Sequence, residues 1–280
     1  RPVKRAVSIA LLLVGVCAGI VAAPSSASAA PVTCVGGTSG ARAKLTKAMR
    51  TAVANDRKPS TLRIALRDGR TGVECGYQAQ SRIYTRSVIK VALSAALIRM
   101  RHKQGRPVTK REYSYMNAAI TRSVNAAGQA LYNRLGSDAP LRNLFLSLGV
   151  TGIKYSGDGR WGNTRLSAAQ HIKFLQGLTD GTNRGLPLSG KLYLIDRMHN
   201  LINKQIWGVG IGVPPGTYFA LKGGWGPSRS QPGYIVNSIG VVRPKTGGQY
   251  EMAILTNRNK SEAIGKRRLN QVARVMNAAL

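Results

Sequence analysis

Three kinds of residue are scarce in this chain, and each scarcity constrains what the chain does. The 280 residues include 10 acidic side chains against 42 basic ones, 3 histidines, and only 6% aromatic residues. With few aromatic rings and with basic residues scattered along the chain, neither a stacking platform nor a compact basic recognition helix is visible, which argues against specific nucleic-acid recognition. His102, His171 and His199 lie far apart without the spacing of metal ligands, so we expect no metal site and no cofactor.

The first thirty residues differ from the rest of the chain. A basic cluster at residues 1–5 precedes an apolar stretch at residues 6–23, and small residues follow up to Ala30. This order is typical of a secretory signal peptide, cleaved near Ala29 or Ala30. The alternative is a retained membrane anchor, because the apolar run is only just long enough to span a bilayer. We therefore expect a protein that is secreted or held in the cell envelope.

The formal net charge of +32 favours anionic partners. For an exported protein, such partners are the anionic polymers of the cell envelope, to which the protein would bind by charge. At low salt, incidental binding of nucleic acid is also expected. The oligomeric state is not indicated by the sequence.

The cysteines also relate to the predicted export of the protein. Cys17 lies in the predicted signal peptide and follows Val16, where a lipid-attachment motif requires a small residue. Removal of the signal leaves Cys34 and Cys75, and an oxidising compartment makes a disulfide between them the expected state. The alternative is that they are two unrelated small apolar residues, since the sequence does not show whether they come close together.

The hydrophobic periodicity predicts one α+β domain over residues 31–280. Helical patterns cover residues 41–55, 86–103, 110–120, 125–135 and 261–279, with others after Ser167 and Leu188; strand patterns cover residues 62–66, 73–77, 218–222, 234–242 and 250–256. The order predicts a three-layer α/β/α arrangement, in which an antiparallel five-stranded sheet is covered by the N- and C-terminal helices. Residues 41–80 and 217–280 would form this α/β part, and residues 81–216 an all-helical insert.

One short motif at the start of a predicted helix contains a candidate nucleophile and a candidate base. In Ser87-Val88-Ile89-Lys90, the serine and the lysine lie three residues apart and share a helical face. The amine can then accept the proton of the hydroxyl if burial lowers its pKa. Alone, this spacing is common, and an exposed serine beside a solvated lysine is the alternative.

Two further motifs follow in a fixed order. Ser123-Val124-Asn125 lies between two predicted helices, and Lys222-Gly223-Gly224 ends a predicted strand. With these motifs, the chain resembles the penicillin-recognising serine hydrolases, that is, the class A β-lactamase and D,D-peptidase superfamily with its transpeptidase-like fold. The resemblance covers nearly the whole chain after the signal, and it includes these segments: Ser123-Val124-Asn125-Ala126-Ala127, Arg160-Trp161-Gly162 before Thr164, and Lys222-Gly223-Gly224-Trp225 ahead of Val236-Asn237-Ser238-Ile239-Gly240.

The resemblance implies a role for each motif residue. Ser87 would be the nucleophile and Lys90 its base, while Ser123 would pass a proton to the leaving nitrogen. Asn125 would hold Lys90 and the substrate amide, and Lys222 would support Ser123 and attract a substrate carboxylate.

The third motif would also supply the oxyanion hole. This part of the site would be formed by the backbone N–H groups of Ser87 and Trp225, with Gly224 beside them. Trp225 would then act through its backbone more than through its ring.

The chain also departs from the family pattern. Val124 stands where class A enzymes have aspartate, and Gly223 stands where a hydroxyl usually helps to bind the substrate carboxylate. The loop at residues 157–164 lacks the E-x-x-L-N sequence, and Asp158 is the only carboxylate in it. We therefore expect inefficient β-lactamase turnover.

The expected activity is acyl transfer through an acyl-enzyme on Ser87, with a peptidoglycan peptide or a β-lactam as substrate. The alternative is a catalytically degenerate member that binds cell-wall polymers through charge alone. A Ser-His-Asp triad has little support, because no G-x-S-x-G element is present.

Overall fold

The computed structural model describes residues 30–228 and 230–280. The predicted signal peptide, including Cys17, lies outside the described residues. No helix in these two ranges has the length and apolar character needed to cross a membrane. The division into an α/β part and a helical part remains a prediction. The core residues fall into two clusters, and residues of the sheet contribute to both.

The central feature is an antiparallel sheet in the spatial order β1-β3-β2-β8-β7-β6. Its strands are β1 (Val32–Val35), β2 (Leu62–Asp68), β3 (Val73–Tyr77), β6 (Tyr218–Pro227), β7 (Tyr234–Arg243) and β8 (Tyr250–Asn259). A separate pair joins β4 (Ile83–Tyr84) to β5 (Arg165–Leu166). The α+β class is confirmed, but the main sheet has six strands where five were predicted. The sixth, β1, is a four-residue edge strand, too short to produce a recognisable alternation.

Eight α-helices are found in the described residues. They are α1 (Ser39–Ala54), α2 (Ile89–Lys103), α3 (Lys110–Thr121), α4 (Asn125–Leu135), α5 (Ala139–Ser147), α6 (Ala168–Thr179), α7 (Leu188–His199) and α8 (Glu262–Asn277). Side-chain caps fix several of their starts: Thr109 and Ser167 each form a capping box with the residue at the third helical position. The N-cap serine of α8, Ser261, accepts a hydrogen bond from the Ile264 N–H.

The terminal helices cover one face of the sheet, as predicted. Leu45 and Met49 of α1 and Leu269 and Met276 of α8 are fully or almost fully buried in one apolar cluster with residues of the sheet. The other cluster is centred on α2, whose residues from Ile89 to Ile98 are all buried. Helix α2 is therefore held rigidly between the sheet and the other helices, and the motif at its N-terminus is held with it.

Candidate active site

Ser87 lies in a strained turn between β4 and α2. A 3₁₀ turn, Arg86–Val88, precedes the helix, and Arg86 has a positive φ of 53°, a conformation that non-glycine residues rarely adopt. The Arg86 guanidinium donates to Asn163 Oδ1 over 3.0 Å and to the Pro227 carbonyl. Asn237 Nδ2 donates to the Tyr84 carbonyl over 2.9 Å. These contacts hold the turn so that Ser87 faces a pocket.

Lys90 lies in the first turn of α2, below Ser87, and its side chain is inaccessible to solvent. Its ammonium donates to the Ser123 carbonyl over 2.6 Å, to Asn125 Oδ1 over 2.8 Å and to Ser123 Oγ over 3.4 Å. Within the described residues, the Ser87 hydroxyl is not among its hydrogen-bond partners. Burial lowers the pKa of Lys90 to about 7. Near neutral pH a substantial fraction of Lys90 is therefore the free amine, the form that a general base requires.

Ser123 connects two lysines. It has a φ of 59° between α3 and α4, and Asn125 is the first residue of α4. The Lys222 ammonium donates to Ser123 Oγ over 2.9 Å and to the Gly223 carbonyl over 3.0 Å. Burial, and then the nearby Lys90 charge, lower the pKa of Lys222 well below its usual value. The second and third motifs thus meet beside the first, and a proton can pass along the chain of hydrogen bonds that they form.

Gly224 allows the edge strand β6 to approach Ser87 closely. A Cβ at this position would lie 2.7 Å from the Val88 nitrogen, 2.8 Å from the Ser87 nitrogen and 2.9 Å from the Thr85 carbonyl oxygen. All three are backbone atoms, so a side chain would push the strand away. The next residue, Trp225, lines the pocket with its ring partly exposed. The strand therefore brings the Trp225 backbone into the neighbourhood of the Ser87 amide.

Gly223 also has a steric explanation. A Cβ at this position would lie 2.1 Å from Cζ2 of Trp207, a buried residue. The indole thus fills the space that the usual hydroxyl-bearing side chain would need. A residue with a hydroxyl-bearing side chain at this position would therefore require Trp207 to move.

Asp158 is directed into its own loop. It accepts a hydrogen bond from the Arg160 N–H over 3.0 Å, and the Arg160 guanidinium lies 3.7 Å away. The backbone N–H of Arg160 lowers the pKa of Asp158, which is largely solvated. Its side chain lines a neighbouring cavity with Tyr84 and Lys154. Asp158 is therefore not among the residues that surround Ser87.

Trp161, from the same loop, takes the position above Lys90. Its ring centroid lies 5.3 Å from the Lys90 Nζ, and its Nε1 donates to Gln129 Oε1 over 3.1 Å. Gly128 leaves room for this contact, since a Cβ there would lie 3.1 Å from the Trp161 ring. The side of the site next to Lys90 is thus covered by an indole ring and not by a carboxylate.

The pocket in front of Ser87 has a volume of about 520 Å³. It is lined by Arg86, Ser87, Asn125, Ala126, Gln129, Gly159, Arg160, Trp161, Gly162, Asn163, Trp225 and Gly226. The structure therefore brings Ser87 and Asn125 to the pocket surface, while Lys90 and Lys222 lie beneath it.

The remaining predicted residues lie elsewhere. Cys34 and Cys75 form a disulfide between directly opposed positions of β1 and β3. His171 is fully buried in α6, His199 stacks on Tyr218 with centroids 4.2 Å apart, and His102 is exposed at the end of α2. In the described part of the chain, no group of three or more His, Cys, Asp or Glu side chains is arranged to hold a metal.

Sequence reasoning missed the contacts of Trp161 and Trp207. Arg160-Trp161-Gly162 contributed to the family resemblance, but the pattern did not show that the ring would cover Lys90. Trp207 gave no signal at all, because it reaches Gly223 from a loop after α7. The unusual glycine in the third motif was the only hint that another side chain occupies that space.

Comparisons with known proteins identify the family of this chain. Residues 111–280 match the Beta-lactamase enzyme family. The chain is 25% identical over 226 residues to "Putative lipoprotein LppW" of Mycobacterium tuberculosis and of Mycobacterium bovis, which covers 78% of this chain and 69% of the relative.

Solved structures share the fold. TLA-1 extended-spectrum β-lactamase aligns with a TM-score of 0.73 at 14% identity, over 85% of this chain and 98% of its own. PBP-A aligns with a TM-score of 0.69 at 18% identity, over 84% and 96%. Since the family match covers more than half of the sequence, this chain belongs to the β-lactamase enzyme family.

Proposed function

We propose that this protein is an exported serine hydrolase or acyltransferase that forms an acyl-enzyme on Ser87. The substrate would be an amide, either a β-lactam or a peptide of peptidoglycan. The observation that carries the proposal is the pair of buried lysines, Lys90 and Lys222, which both donate to Ser123 beside the nucleophile. Two buried lysines are costly for a fold, so an arrangement of this kind favours function over stability.

In the proposed acylation step, each of these groups has one role. The Ser87 hydroxyl attacks the amide carbonyl as its proton passes to the neutral amine of Lys90. The backbone N–H groups of Ser87 and Trp225 stabilise the negative charge on the carbonyl oxygen. Ser123, held by Lys222, delivers a proton to the leaving nitrogen, and the C–N bond breaks.

Deacylation has less support from the site. It requires a water on the acyl carbonyl and a base to activate that water. Asp158 is engaged within its own loop, and the Trp161 ring covers the side of Lys90. We infer that the acyl-enzyme is long-lived with penicillins, so that reaction with the cognate acceptor, water or an amine, limits turnover.

The location in the cell envelope rests on three observations. The sequence predicts a signal peptide, the structure contains a disulfide, and the mycobacterial relative is named as a lipoprotein. The net charge of +32 would then hold the protein against anionic polymers of the envelope.

Intact-mass spectrometry tests the acyl-enzyme directly. After exposure to a panel of penicillins, cephalosporins and activated esters, the native protein should gain the mass of one acyl group. Ser87→Ala and Lys90→Ala should each abolish the adduct, and the double variant should be no worse, since the two groups act as a unit. Ser189→Ala changes an exposed serine of α7 outside the pocket and serves as the matched control.

The outcomes separate the two functions. An adduct that survives in Ser87→Ala would show that the nucleophile is misassigned. Salt-reversible binding to wall polymers without an adduct from any probe would favour the non-catalytic alternative. With a chromogenic cephalosporin, we expect a burst equal to the enzyme present and then little turnover. Rapid steady hydrolysis unaffected by Asp158→Asn would show that another group activates the water.

A further inference from the structure

A second large cavity lies on a different part of the fold. It is formed by the segment after α1, the end of β8 and the first half of α8, and its volume of about 570 Å³ slightly exceeds that of the active-site pocket. Its residues are distinct from those that line the pocket in front of Ser87. We call this cavity the basic cleft, after the cations described below.

The floor of the basic cleft is an internally satisfied ion pair. Arg268 donates to both oxygens of Asp56 over 3.0–3.1 Å, and it also donates to Asn259 Oδ1, Thr61 Oγ1 and the Lys58 carbonyl. Asp56 is 6% exposed and is the only carboxylate among the lining residues. Its negative charge is therefore already balanced by Arg268 and is not available to the other cations.

The rim carries an excess of positive charge. Five exposed cations line it: Arg57, Lys58, Arg258, Lys260 and Arg267. Within residues 30–228 and 230–280, none of these five side chains takes part in an ion pair. Five like charges around one concave space repel each other, and a bound anion would remove that repulsion.

One of these cations, Arg258, is held in place by the fold: its Nε donates to Gln231 Oε1 over 3.0 Å. Arg258 has a positive φ of 53°, which is strained for an arginine. The next residue, Asn259, is buried, and its Nδ2 donates to the Tyr234 carbonyl and to Thr256 Oγ1. Behind the cleft, burial and the charges of Arg268 and Arg258 lower the pKa of Arg63, as expected where positive charges are crowded.

We propose that the basic cleft is a binding site for the phosphate groups of a linear phosphate polymer. Guanidinium groups match phosphate oxygens in a two-point geometry, and the rim supplies three of them together with two ammonium groups. A ligand with only one carboxylate group would leave most of the positive charge of the rim unbalanced. Among the described residues, none of the exposed large apolar side chains lines the cleft, so nothing there would insert into a lipid bilayer.

Charge-matched variants separate a site from the general positive field. Arg57→Gln/Arg267→Gln removes two exposed rim cations. Arg106→Gln/Arg184→Gln removes the same charge from exposed loops elsewhere. Binding of short-chain polyphosphate to the full chain is measured by calorimetry across a range of salt concentrations. Vesicles of anionic phospholipid and a carboxylate polymer, polyglutamate, are measured in parallel.

At about 0.15 M salt we expect the cleft variant to bind polyphosphate at least about tenfold more weakly than the native protein, and the control variant to lose less than about twofold. The slope of log K against log salt should fall by between about 1 and 2 in the cleft variant alone. Equal losses in the two variants would overturn the proposal, as would a preference for the vesicles or for polyglutamate. Acylation of Ser87 is scored separately and should be the same in both variants, so failure of the catalytic proposal does not affect this result.

Discussion

Replacing Lys90 with methionine should abolish acylation and at the same time stabilise the fold. Lys90 is inaccessible to solvent, and burial lowers its pKa from 10.5 to about 7. A group that binds its proton less tightly in the folded protein than in the unfolded chain costs stability wherever the unfolded chain holds that proton. Methionine has nearly the same length and carries no charge, so it removes this cost.

The size of the effect follows from the shift in pKa. At pH 7 the difference between the folded and unfolded values corresponds to about 4 kcal/mol of lost stability. Methionine leaves the Ser123 carbonyl and Asn125 Oδ1 without a donor, which costs roughly 2 kcal/mol. The net gain is about 2 kcal/mol, or about 4–8 °C in the melting temperature for a domain of this size. Loss of the Lys90 charge also removes its repulsion of Lys222, which further stabilises the folded protein.

The pH dependence is the sharper test. The native protein gains stability as the pH rises from 7 towards 10.5, because its unfolded chain loses the proton that the folded state already lacks. The gain in stability of Lys90→Met over the native protein should therefore be complete near pH 6.5 and absent near pH 9.5. Thermal unfolding followed by circular dichroism measures it. Lys103→Met changes an exposed lysine of the same helix and should show neither effect. An advantage independent of pH would refute the assignment of a depressed pKa to Lys90.

Three further predictions concern other parts of the fold. Gly224→Ala should lower the acylation rate by about 10²- to 10³-fold without unfolding the protein, because the new methyl separates β6 from the nucleophile; Gly40→Ala, where a Cβ meets nothing within 4 Å, should be silent in the same stopped-flow assay. Reduction of Cys34–Cys75, which are 41 residues apart, should lower the free energy of unfolding in urea by about 3–4 kcal/mol, and free thiols in oxidised material would contradict the bond. Burial lowers the pKa of His171 to about 3. The free energy of unfolding of the native protein should therefore fall by about 2 kcal/mol between pH 6.5 and 5 relative to His171→Leu. Parallel curves of stability against pH for the two proteins would contradict this.

The helices were the most predictable part of the fold. The pattern at residues 261–279 predicts α8, which spans Glu262–Asn277, and the pattern at residues 125–135 coincides with α4. Amphipathic spacing and capping residues are local signals, so they can be read from one sequence. Helix α5 was missed, although it has a proline in its first turn.

Strand ends and the turn before α2 were less predictable. The strand predicted at residues 218–222 continues in β6 to Pro227, through glycines that have a poor intrinsic preference for strands. Pairing with β7 over its whole length overrides that preference. The helix predicted from residue 86 begins at Ile89, because contacts from Asn163 and Pro227 hold Arg86 at a positive φ.

The motif residues of the candidate site could be predicted from the sequence, but the tryptophans that contact them could not. The order of the three motifs predicted a common site, and the structure brings Lys90, Ser123 and Lys222 into one hydrogen-bond network. The two tryptophans that shape it approach from loops distant in sequence, and their positions depend on the packing of the complete fold. Such contacts have no local signature.

The four-residue strand β1 has a consequence for how this protein behaves at high concentration. The main sheet has two edge strands: β6, which lies beside the candidate active site, and β1. An open edge invites pairing with a strand of another molecule, and short strands reduce that risk. Here the edge strand is also tied covalently to its neighbour through Cys34 and Cys75. If β1 detached after reduction, the five-residue strand β3 would become the edge of the sheet, and we expect reducing conditions to increase self-association.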